Sequence, residues 1–187
     1  MAETSYFALL GLPERYALDL QELERSFHQL SRLLHPDRFG NAAPAERRLA
    51  IQRTTLVNDA CRALKDPLRR AEYLLRREGI AEATGKAPQD PALLQKILEG
   101  REQVMELKER VRAGEPSALH ELGRFRAESQ EKLRGLYDEL GALFRAYDDG
   151  DRRQAVAAVM AIVARIRYHA GIKQELDALT LATGQIA

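Results

Sequence analysis

The chain has 187 residues, of which 45% are hydrophobic, and its 29 Lys and Arg nearly balance its 28 Asp and Glu. This apolar content is enough for folded cores, and the balanced charge gives no overall field that would attract nucleic acid or an anionic membrane. The single cysteine, Cys61, excludes an internal disulfide and a cysteine-based metal site. The N-terminus lacks a basic segment followed by a long apolar run, so we expect a soluble cytoplasmic protein without a membrane span.

Two helices are predicted before residue 36. The first is short, from Ser5 to Leu10, and "GLP" at residues 11–13 ends it. The second follows Asp19, whose carboxylate can accept hydrogen bonds from the first turn. Its apolar residues recur every three or four positions, which predicts one buried face: Leu20, Leu23, Phe27, Leu30 and Leu34. Pro36 ends this helix, because the residue before a proline is pushed out of the α region.

A third and a fourth helix complete an N-terminal module. The third is predicted over residues 44–65, with a buried stripe of Ala50, Thr54, Val57, Cys61 and Leu64. Asp66-Pro67 then forms an N-cap and a first-turn proline, so a fourth helix starts at once and ends at Gly79. The small, polar stretch "IAEATGKAPQD" that follows indicates a linker. We assign the module to residues 1–78 and the linker to residues 79–90.

Three longer helices are predicted after the linker, over residues 91–112, 116–147 and 152–179. The first two begin at Asp90-Pro91 and Glu115-Pro116, which repeat the cap-and-proline pattern. Short connections force neighbouring helices to run in opposite directions. Residues 91–187 are therefore predicted to form an antiparallel three-helix bundle. Aromatic residues make up only 6% of the chain and no segment has the period of a strand, so the predicted fold is all-α.

The tripeptide His35-Pro36-Asp37 follows the second helix. One interpretation is a helix stop alone, since proline is common there. The other is a recognition surface. The second and third helices have matching apolar stripes and should pack as an antiparallel hairpin, which puts the tripeptide at its exposed tip. There Asp37 could accept a bidentate hydrogen bond from a partner's arginine, and His35 adds a polar ring.

Catalysis and metal binding are poorly supported by the sequence. A general base needs an orienting partner in a pocket that excludes water, and the tip of a helical hairpin offers neither. The four histidines, at positions 28, 35, 120 and 169, have no metal-ligand spacing. We therefore expect no enzymatic activity, no cofactor and no metal.

Four segments together resemble a J domain: "YFALLGL" at residues 6–12, "HPDR" at 35–38, "VNDACRALKDP" at 57–67 and "RAEYLL" at 70–75. The "LPERYALD" insertion between the first two helices, together with the helical bundle, is similar to the HscB-type J-protein co-chaperones of bacterial iron–sulfur cluster assembly. The resemblance covers nearly the whole chain. It implies that His35, Pro36 and Asp37 engage the ATPase domain of a DnaK-type chaperone and stimulate its ATP hydrolysis.

The resemblance also implies that the outer face of the second helix meets an acidic surface of that chaperone. The basic residues on this face are Arg25, His28 and Arg32. Because Glu24 and Gln29 lie there too, the face is less basic than in general J-proteins, which points to a dedicated chaperone of the HscA type. The alternative interpretation of Arg25 and Arg32 is a solvated helix face.

The fifth helix carries apolar residues on two faces, although packing against the bundle core requires only one. At 100° per residue, six residues form the seam expected to face the bundle core: Leu93, Ile97, Gly100, Val104, Leu107 and Val111. Leu94, Leu98 and Met105 cluster within about 40° of one another, on a different face. Either a third helix or the N-terminal module covers this second stripe, or it is an exposed protein-binding patch.

The resemblance favours the binding patch. In HscB-like proteins, the stretch that matches "LLQKILEGRE" at residues 93–102 carries the face for an IscU-type iron–sulfur scaffold protein. The scaffold-binding residues that this implies are Leu94, Gln95, Leu98, Glu99, Arg101 and Glu102. "IRYHAGIK" at residues 166–173 is similar to the family's "LRF" segment and adds Tyr168 as an aromatic anchor, although Tyr168 could instead be a core residue. Gly100 departs from the family, which tends to have a larger apolar side chain there.

The sequence thus predicts a two-ended adaptor that delivers an IscU-type scaffold to an HscA-type chaperone. One alternative is a general J-protein for unfolded clients, but such proteins carry Gly/Phe-rich or zinc-ribbon segments that this sequence lacks. Another is a helical nucleic-acid binder that uses Arg25, Arg32 and "RRLAIQR" at residues 47–53. The near-neutral charge and the scarcity of aromatic residues count against it.

Overall fold

The computed structural model describes residues 4–35, 39, 43–80, 91–148, 150 and 152–184. Over these residues every regular element is a helix, which confirms the predicted all-α fold. The chain divides into two compact units, Met1–Ile80 and Ala81–Ala187. Each unit has its own buried core.

Over the described residues, the first unit contains four α-helices and the second contains three. The helices of the first unit are α1 (Tyr6–Leu9), α2 (Leu20–Leu33), α3 (Pro44–Lys65) and α4 (Pro67–Arg77). Those of the second unit are α5 (Pro91–Arg112), α6 (Pro116–Asp148) and α7 (Arg152–Ala182). The predicted ends lie within about three residues of these bounds, which is the usual uncertainty of helix boundaries.

Local capping explains why the helices of the first unit begin where they do. The Ser5 hydroxyl accepts a hydrogen bond from the amide of Ala8 at 3.1 Å. Asp19 accepts one from the amide of Gln21 at 2.8 Å, and Asp66 accepts one from the amide of Arg69 at 2.8 Å. Each side chain satisfies a donor that the first turn of a helix leaves without a partner.

Helices α2 and α3 form an antiparallel hairpin. Glu24, near the start of α2, forms an ion pair of 2.8 Å with Lys65 at the end of α3. Leu34, just after α2, accepts a hydrogen bond of 3.0 Å from the Thr54 hydroxyl, further back along α3. Leu23 is the one α2 residue that is fully buried, whereas Leu20, predicted as core, is 44% exposed. Leu20 lies at the start of α2, one turn before Glu24. Because Glu24 is already opposite the last residue of α3, Leu20 lies beyond the end of that helix.

Arg70 closes the core of the first unit from α4. It is only 5% exposed, and its guanidinium donates to the carbonyls of Leu64 at 2.7 Å and of Tyr16 at 2.6 Å. The guanidinium also lies 5.2 Å from the centre of the Tyr16 ring. These contacts satisfy a buried cation and fasten the segment between α1 and α2 to the corner between α3 and α4.

The second unit is a three-helix bundle in which α6 and α7 run antiparallel. Arg126 pairs with Asp177 at 2.6 Å, and Glu139 pairs with Arg165 at 3.4 Å, so the partner residue moves back along α7 as α6 advances. One core cluster joins all three helices: Val104, Leu107, Val111, Ala118, Leu122, Ile172, Leu176 and Leu179. Helix α5 has 22 residues, against 33 in α6 and 31 in α7, and is too short to cover them. The end of α6 and the start of α7, on either side of the turn that joins them, therefore pack mainly on each other.

Helix α7 is the most apolar helix of the second unit and packs on both other helices of the bundle. Over Ala155–Ala182 it is long and apolar enough to cross a membrane by length and composition, a test that core helices of soluble proteins also pass. Its fully buried side chains include Val159, Ile162, Ile166 and Leu176. Of its most apolar 18 residues 33% are buried, so its place in the bundle accounts for only part of this composition.

Candidate functional site

His35 lies at the end of the α2–α3 hairpin. It directly follows Leu34, whose amide donates to the Leu30 carbonyl at 2.9 Å and whose carbonyl accepts a hydrogen bond from the Thr54 hydroxyl. The end of α2 is thus tied to α3, and the His35 side chain is exposed immediately beyond that tie. Pro36 and Asp37 lie outside the described residues.

The outer face of α2 combines exposed basic side chains. Arg25, His28 and Arg32 are all exposed and lie within about 60° of one another around the helix. Arg25 is 4.0 Å from the Asp19 carboxylate, but both side chains are more than half exposed, so this pair contributes little to stability. We call these three residues the basic face.

Glu24 lies beside the basic face and is paired with a lysine of another helix. Its carboxylate is 2.8 Å from the Lys65 ammonium of α3, and the hydrogen bond and charge of Lys65 lower the pKa of the Glu24 carboxyl, which therefore stays ionised. Sequence reasoning missed this pair because its two residues are 41 positions apart. Both side chains are about half exposed, so how basic this face is toward a partner stays a prediction.

The second apolar stripe of α5 is exposed. Leu94 is 40% exposed, Leu98 is 54% exposed and Met105 is 63% exposed. Each is a large hydrophobic side chain, and the three share one side of the helix, which is the usual composition of a protein-binding patch. We call these three residues the exposed stripe. Met105 extends it by about two turns beyond Leu98 and is not among the residues implied by the family resemblance.

Polar residues border the exposed stripe. Gln95, Glu99, Arg101 and Glu102 are all exposed. The Gln95 side-chain amide donates to the Glu99 carboxylate at 2.8 Å, one turn along α5. A stripe of leucines bordered by charges of both signs has the organisation of a recognition patch, with an apolar centre and a polar rim.

Tyr168 is attached to α5 rather than projecting from the bundle. It is half-buried against the core cluster, and its hydroxyl donates to the Lys96 carbonyl at 2.9 Å. Burial, with a smaller contribution from the negative charge of Glu99, raises the pKa of Tyr168, so the hydroxyl stays protonated and able to donate near neutral pH. The ring packs on the core cluster, as one interpretation of the sequence expected, and the other interpretation, an aromatic anchor for a scaffold protein, stays a prediction.

Gly100 explains how the Tyr168 ring comes so close to α5. It is buried, and a Cβ atom placed on it would overlap the Tyr168 hydroxyl and lie 3.0 Å from Cζ. Leu93 and Ile97, predicted in the core seam with Gly100, are only half-buried. Helix α5 is therefore packed firmly from Gly100 onward and more loosely before it.

His169 is a half-buried neighbour of Tyr168. The centroids of the two rings are 4.7 Å apart. Burial, together with the positive charges of Lys132 and Arg165, lowers the pKa of His169 to about 4, so the ring is neutral near pH 7. No group of three or more potential metal ligands occurs among the residues that the structure describes.

Comparisons with known proteins agree on one family. Residues 89–177 match the family model described as the HSCB C-terminal oligomerisation domain. A co-chaperone protein HscB homolog of Aromatoleum aromaticum is 35% identical over 176 residues, which cover 94% of this chain and 93% of the relative. A homolog of the same name from Bordetella petrii is 38% identical over 141 residues, covering 74% of this chain and 82% of the relative.

Solved structures extend the likeness to the fold. Chaperone HscB from Vibrio cholerae superposes with a TM-score of 0.77 at 28% identity, covering 96% of this chain and 99% of that one. The human co-chaperone protein HscB gives a TM-score of 0.72 at 24% identity, covering 97% and 85% of the two chains, and supports the fold alone. The two-unit architecture is thus common to these proteins and to this chain.

Proposed function

The chain belongs to the HscB family of J-domain co-chaperones, and from that premise we propose that it delivers an IscU-type iron–sulfur scaffold protein to an HscA-type chaperone of the DnaK class. The family places the chain in iron–sulfur cluster assembly, and its relatives are named as co-chaperones and not as enzymes. What remains to be proposed is which surface meets which partner. The two surfaces described above lie in different units, which suits a protein with two partners.

The first unit is the proposed chaperone-binding end. His35 is exposed at the tip of the hairpin, Pro36 and Asp37 follow it in the sequence, and the basic face lies on the adjoining helix. A carboxylate suits an arginine of the chaperone, and a positive face suits an acidic surface. No cofactor is required of this end, because the ATP is bound and hydrolysed by the chaperone.

The second unit is the proposed scaffold-binding end. The exposure of Leu94 and Leu98 is the observation that carries this assignment. Exposing an apolar side chain of this size to water is unfavourable. Burying each leucine against a partner therefore contributes at most about 1.5–3 kcal/mol to the free energy of binding. The surrounding Gln95, Glu99, Arg101 and Glu102 can orient the partner by hydrogen bonds around that apolar centre.

The linkage of the two ends is the proposed mechanism. When one chain holds both partners, the scaffold meets the chaperone's substrate site at a raised effective concentration. Stimulated ATP hydrolysis then traps the scaffold in the chaperone's tight-binding state, which favours cluster transfer. The J contact produces this effect only if it binds the hydrolysis-competent state of the chaperone more tightly than the other state.

Steady-state ATPase of an HscA-type chaperone, with an IscU-type scaffold present, tests the proposal. Adding this protein should raise the rate at least about tenfold, and His35→Gln or Asp37→Asn should remove most of the increase. Both variants should keep normal helicity and scaffold binding, since His35 is exposed and belongs to the other unit. A full increase in rate with either variant would overturn the assignment of the hairpin tip.

A further inference from the structure

The first half of α5 has few buried contacts within the second unit. Burial on α5 begins at Gly100 and continues at Val104, Leu107 and Val111, whereas residues 91–99 are exposed or half-buried. This loosely packed half carries Leu94 and Leu98, on which scaffold binding is proposed to rest. Binding is stronger when such side chains are already held in the bound arrangement, because less conformational freedom is lost.

Tyr168 supplies the contact that can hold this half of α5. Its hydroxyl donates to the Lys96 carbonyl at 2.9 Å, midway between Leu94 and Leu98 along the chain. Its ring is anchored in the core cluster. In an α-helix the carbonyl of residue 96 faces the amide of residue 100, so the phenol reaches the α5 backbone beside Gly100.

The approach of Tyr168 depends on the missing side chain at position 100. A Cβ atom there would overlap the Tyr168 hydroxyl and lie 3.0 Å from Cζ, so any larger residue would push the ring away and break the bond to Lys96. Gly100 is in the interior of a helix, where glycine is less favourable than alanine. Its presence is accounted for by the phenol and not by the helix.

We propose that Gly100 is a positioning residue for scaffold recognition, acting through Tyr168 to fix the part of α5 that presents Leu94 and Leu98. The inference rests on the function proposed above and deepens it. Tyr168 then contributes by holding α5 from behind, in addition to any contact of its ring edge with the scaffold. Lys96 contributes its backbone carbonyl as the acceptor of the Tyr168 hydroxyl.

Other glycines of the bundle provide a matched control. Gly123, Gly135, Gly141 and Gly171 are helical, and a Cβ atom on any of them would meet nothing within 4 Å. Changing one of these to alanine should stabilise its helix, as substitution at an unhindered helical glycine usually does. Gly100→Ala should instead loosen α5, because the new methyl group competes with the phenol for the same space.

A double-mutant cycle in the full-length protein tests the coupling. The variants are Gly100→Ala, Tyr168→Phe and the pair together, and the measurement is calorimetric affinity for an IscU-type scaffold. We expect a loss of about tenfold for Gly100→Ala and about threefold for Tyr168→Phe. The pair should return to within about threefold of the unchanged protein, because the methyl group fills the space that the hydroxyl left. Gly135→Ala should leave the affinity unchanged.

Amide hydrogen exchange of residues 94–100 without the scaffold separates this inference from the function it rests on. Exchange should be faster in Gly100→Ala and slow again in the pair. Additive effects of the two substitutions, or unchanged exchange in Gly100→Ala, would overturn the positioning role. If the unchanged protein does not bind the scaffold, the proposed function fails, and the exchange data still decide whether Gly100 and Tyr168 hold α5.

Discussion

The basic face of α2 and the exposed stripe of α5 both lie on amphipathic helices, yet the first is charged and the second is apolar. On α2 the exposed groups are Arg25, His28 and Arg32, on a helix that is tied to α3 by an ion pair and a hydrogen bond. On α5 the exposed groups are Leu94, Leu98 and Met105, and the Tyr168 hydroxyl bonds the α5 backbone between the two leucines. One surface offers charge, and the other offers apolar area.

This difference predicts two contacts that respond to different conditions. An electrostatic contact forms quickly and weakens as salt screens it, with a screening length of about 8–10 Å at physiological ionic strength. An apolar contact depends on the area removed from water and is much less sensitive to salt. A co-chaperone built this way can release one partner while it keeps the other.

The largest effect is expected from shortening the exposed stripe. Leu94→Ala combined with Leu98→Ala should weaken scaffold binding by about 100-fold or more, because such side chains often dominate the binding energy of an interface. The thermal midpoint and helicity should stay close to those of the unchanged protein, since both leucines are exposed. Calorimetric titration and circular dichroism measure the two effects.

The control for this change is Leu181→Ala, because Leu181 is 61% exposed on α7 and is not part of the exposed stripe. It should bind the scaffold normally. Global unfolding of the Leu94 and Leu98 variant would show that these leucines belong to a core, and the comparison between the two surfaces would no longer hold.

A smaller effect is expected from reversing charge on the basic face. Arg25→Glu with Arg32→Glu should lower the affinity for the chaperone about tenfold at low salt, with the difference shrinking as salt is raised to about 0.5 M. Arg62→Glu, on α3, changes a comparably exposed arginine and should have much less effect. Equal losses in all conditions would indicate that charge is not the basis of this contact.

The smallest effect is expected from lowering the pH, which should reduce the folding stability of the second unit and not of the first. The pKa of His169 is lowered from 6.5 to about 4 by burial and by Lys132 and Arg165. A lowered histidine pKa means that the unfolded chain takes up the proton first, so stability is retained above pH 6.5 and lost as the pH falls from 6.5 toward 4. We expect the free energy of unfolding to fall by about 1 kcal/mol, because His169 is only half-buried and solvent weakens the effect.

Guanidinium unfolding at several pH values, followed by hydrogen exchange in each unit, measures this loss. His169→Gln should flatten the pH dependence of the second unit, and His120→Gln, at an exposed position of α6, should not. The same slope in His169→Gln and in the unchanged protein would show that other groups are responsible.

Much of the fold was predictable because its signals are local. Asp19 and Asp66 cap the helices that follow them, and Pro67 starts α4, through contacts among residues that are neighbours in the sequence. The division into helices follows from such stops and starts. Leu20 is exposed against prediction, because its burial depends on where the partner helix ends and not on the apolar period.

The details of the two surfaces were less predictable, because they depend on contacts between residues that are far apart in the sequence. Glu24 is paired with Lys65 of another helix, a contact that the sequence of α2 alone does not show. Gly100 departs from the family pattern, and its fit to the Tyr168 phenol depends on a contact across 68 positions. Which residues of α5 bind a partner stays a prediction of the family resemblance, and the packing of α7 shows that Tyr168 contacts α5 at Lys96 and Gly100.

Arg70 has a consequence for how the first unit opens. Its guanidinium bonds the carbonyls of Leu64 and Tyr16, which belong to segments 48 residues apart. Separating either segment would deprive the buried guanidinium of one of its two carbonyl acceptors, so neither segment detaches without cost while the other stays in place. The connection between α1 and α2, though it is irregular in conformation, is expected to open and close cooperatively with the corner between α3 and α4, as one unit of local unfolding.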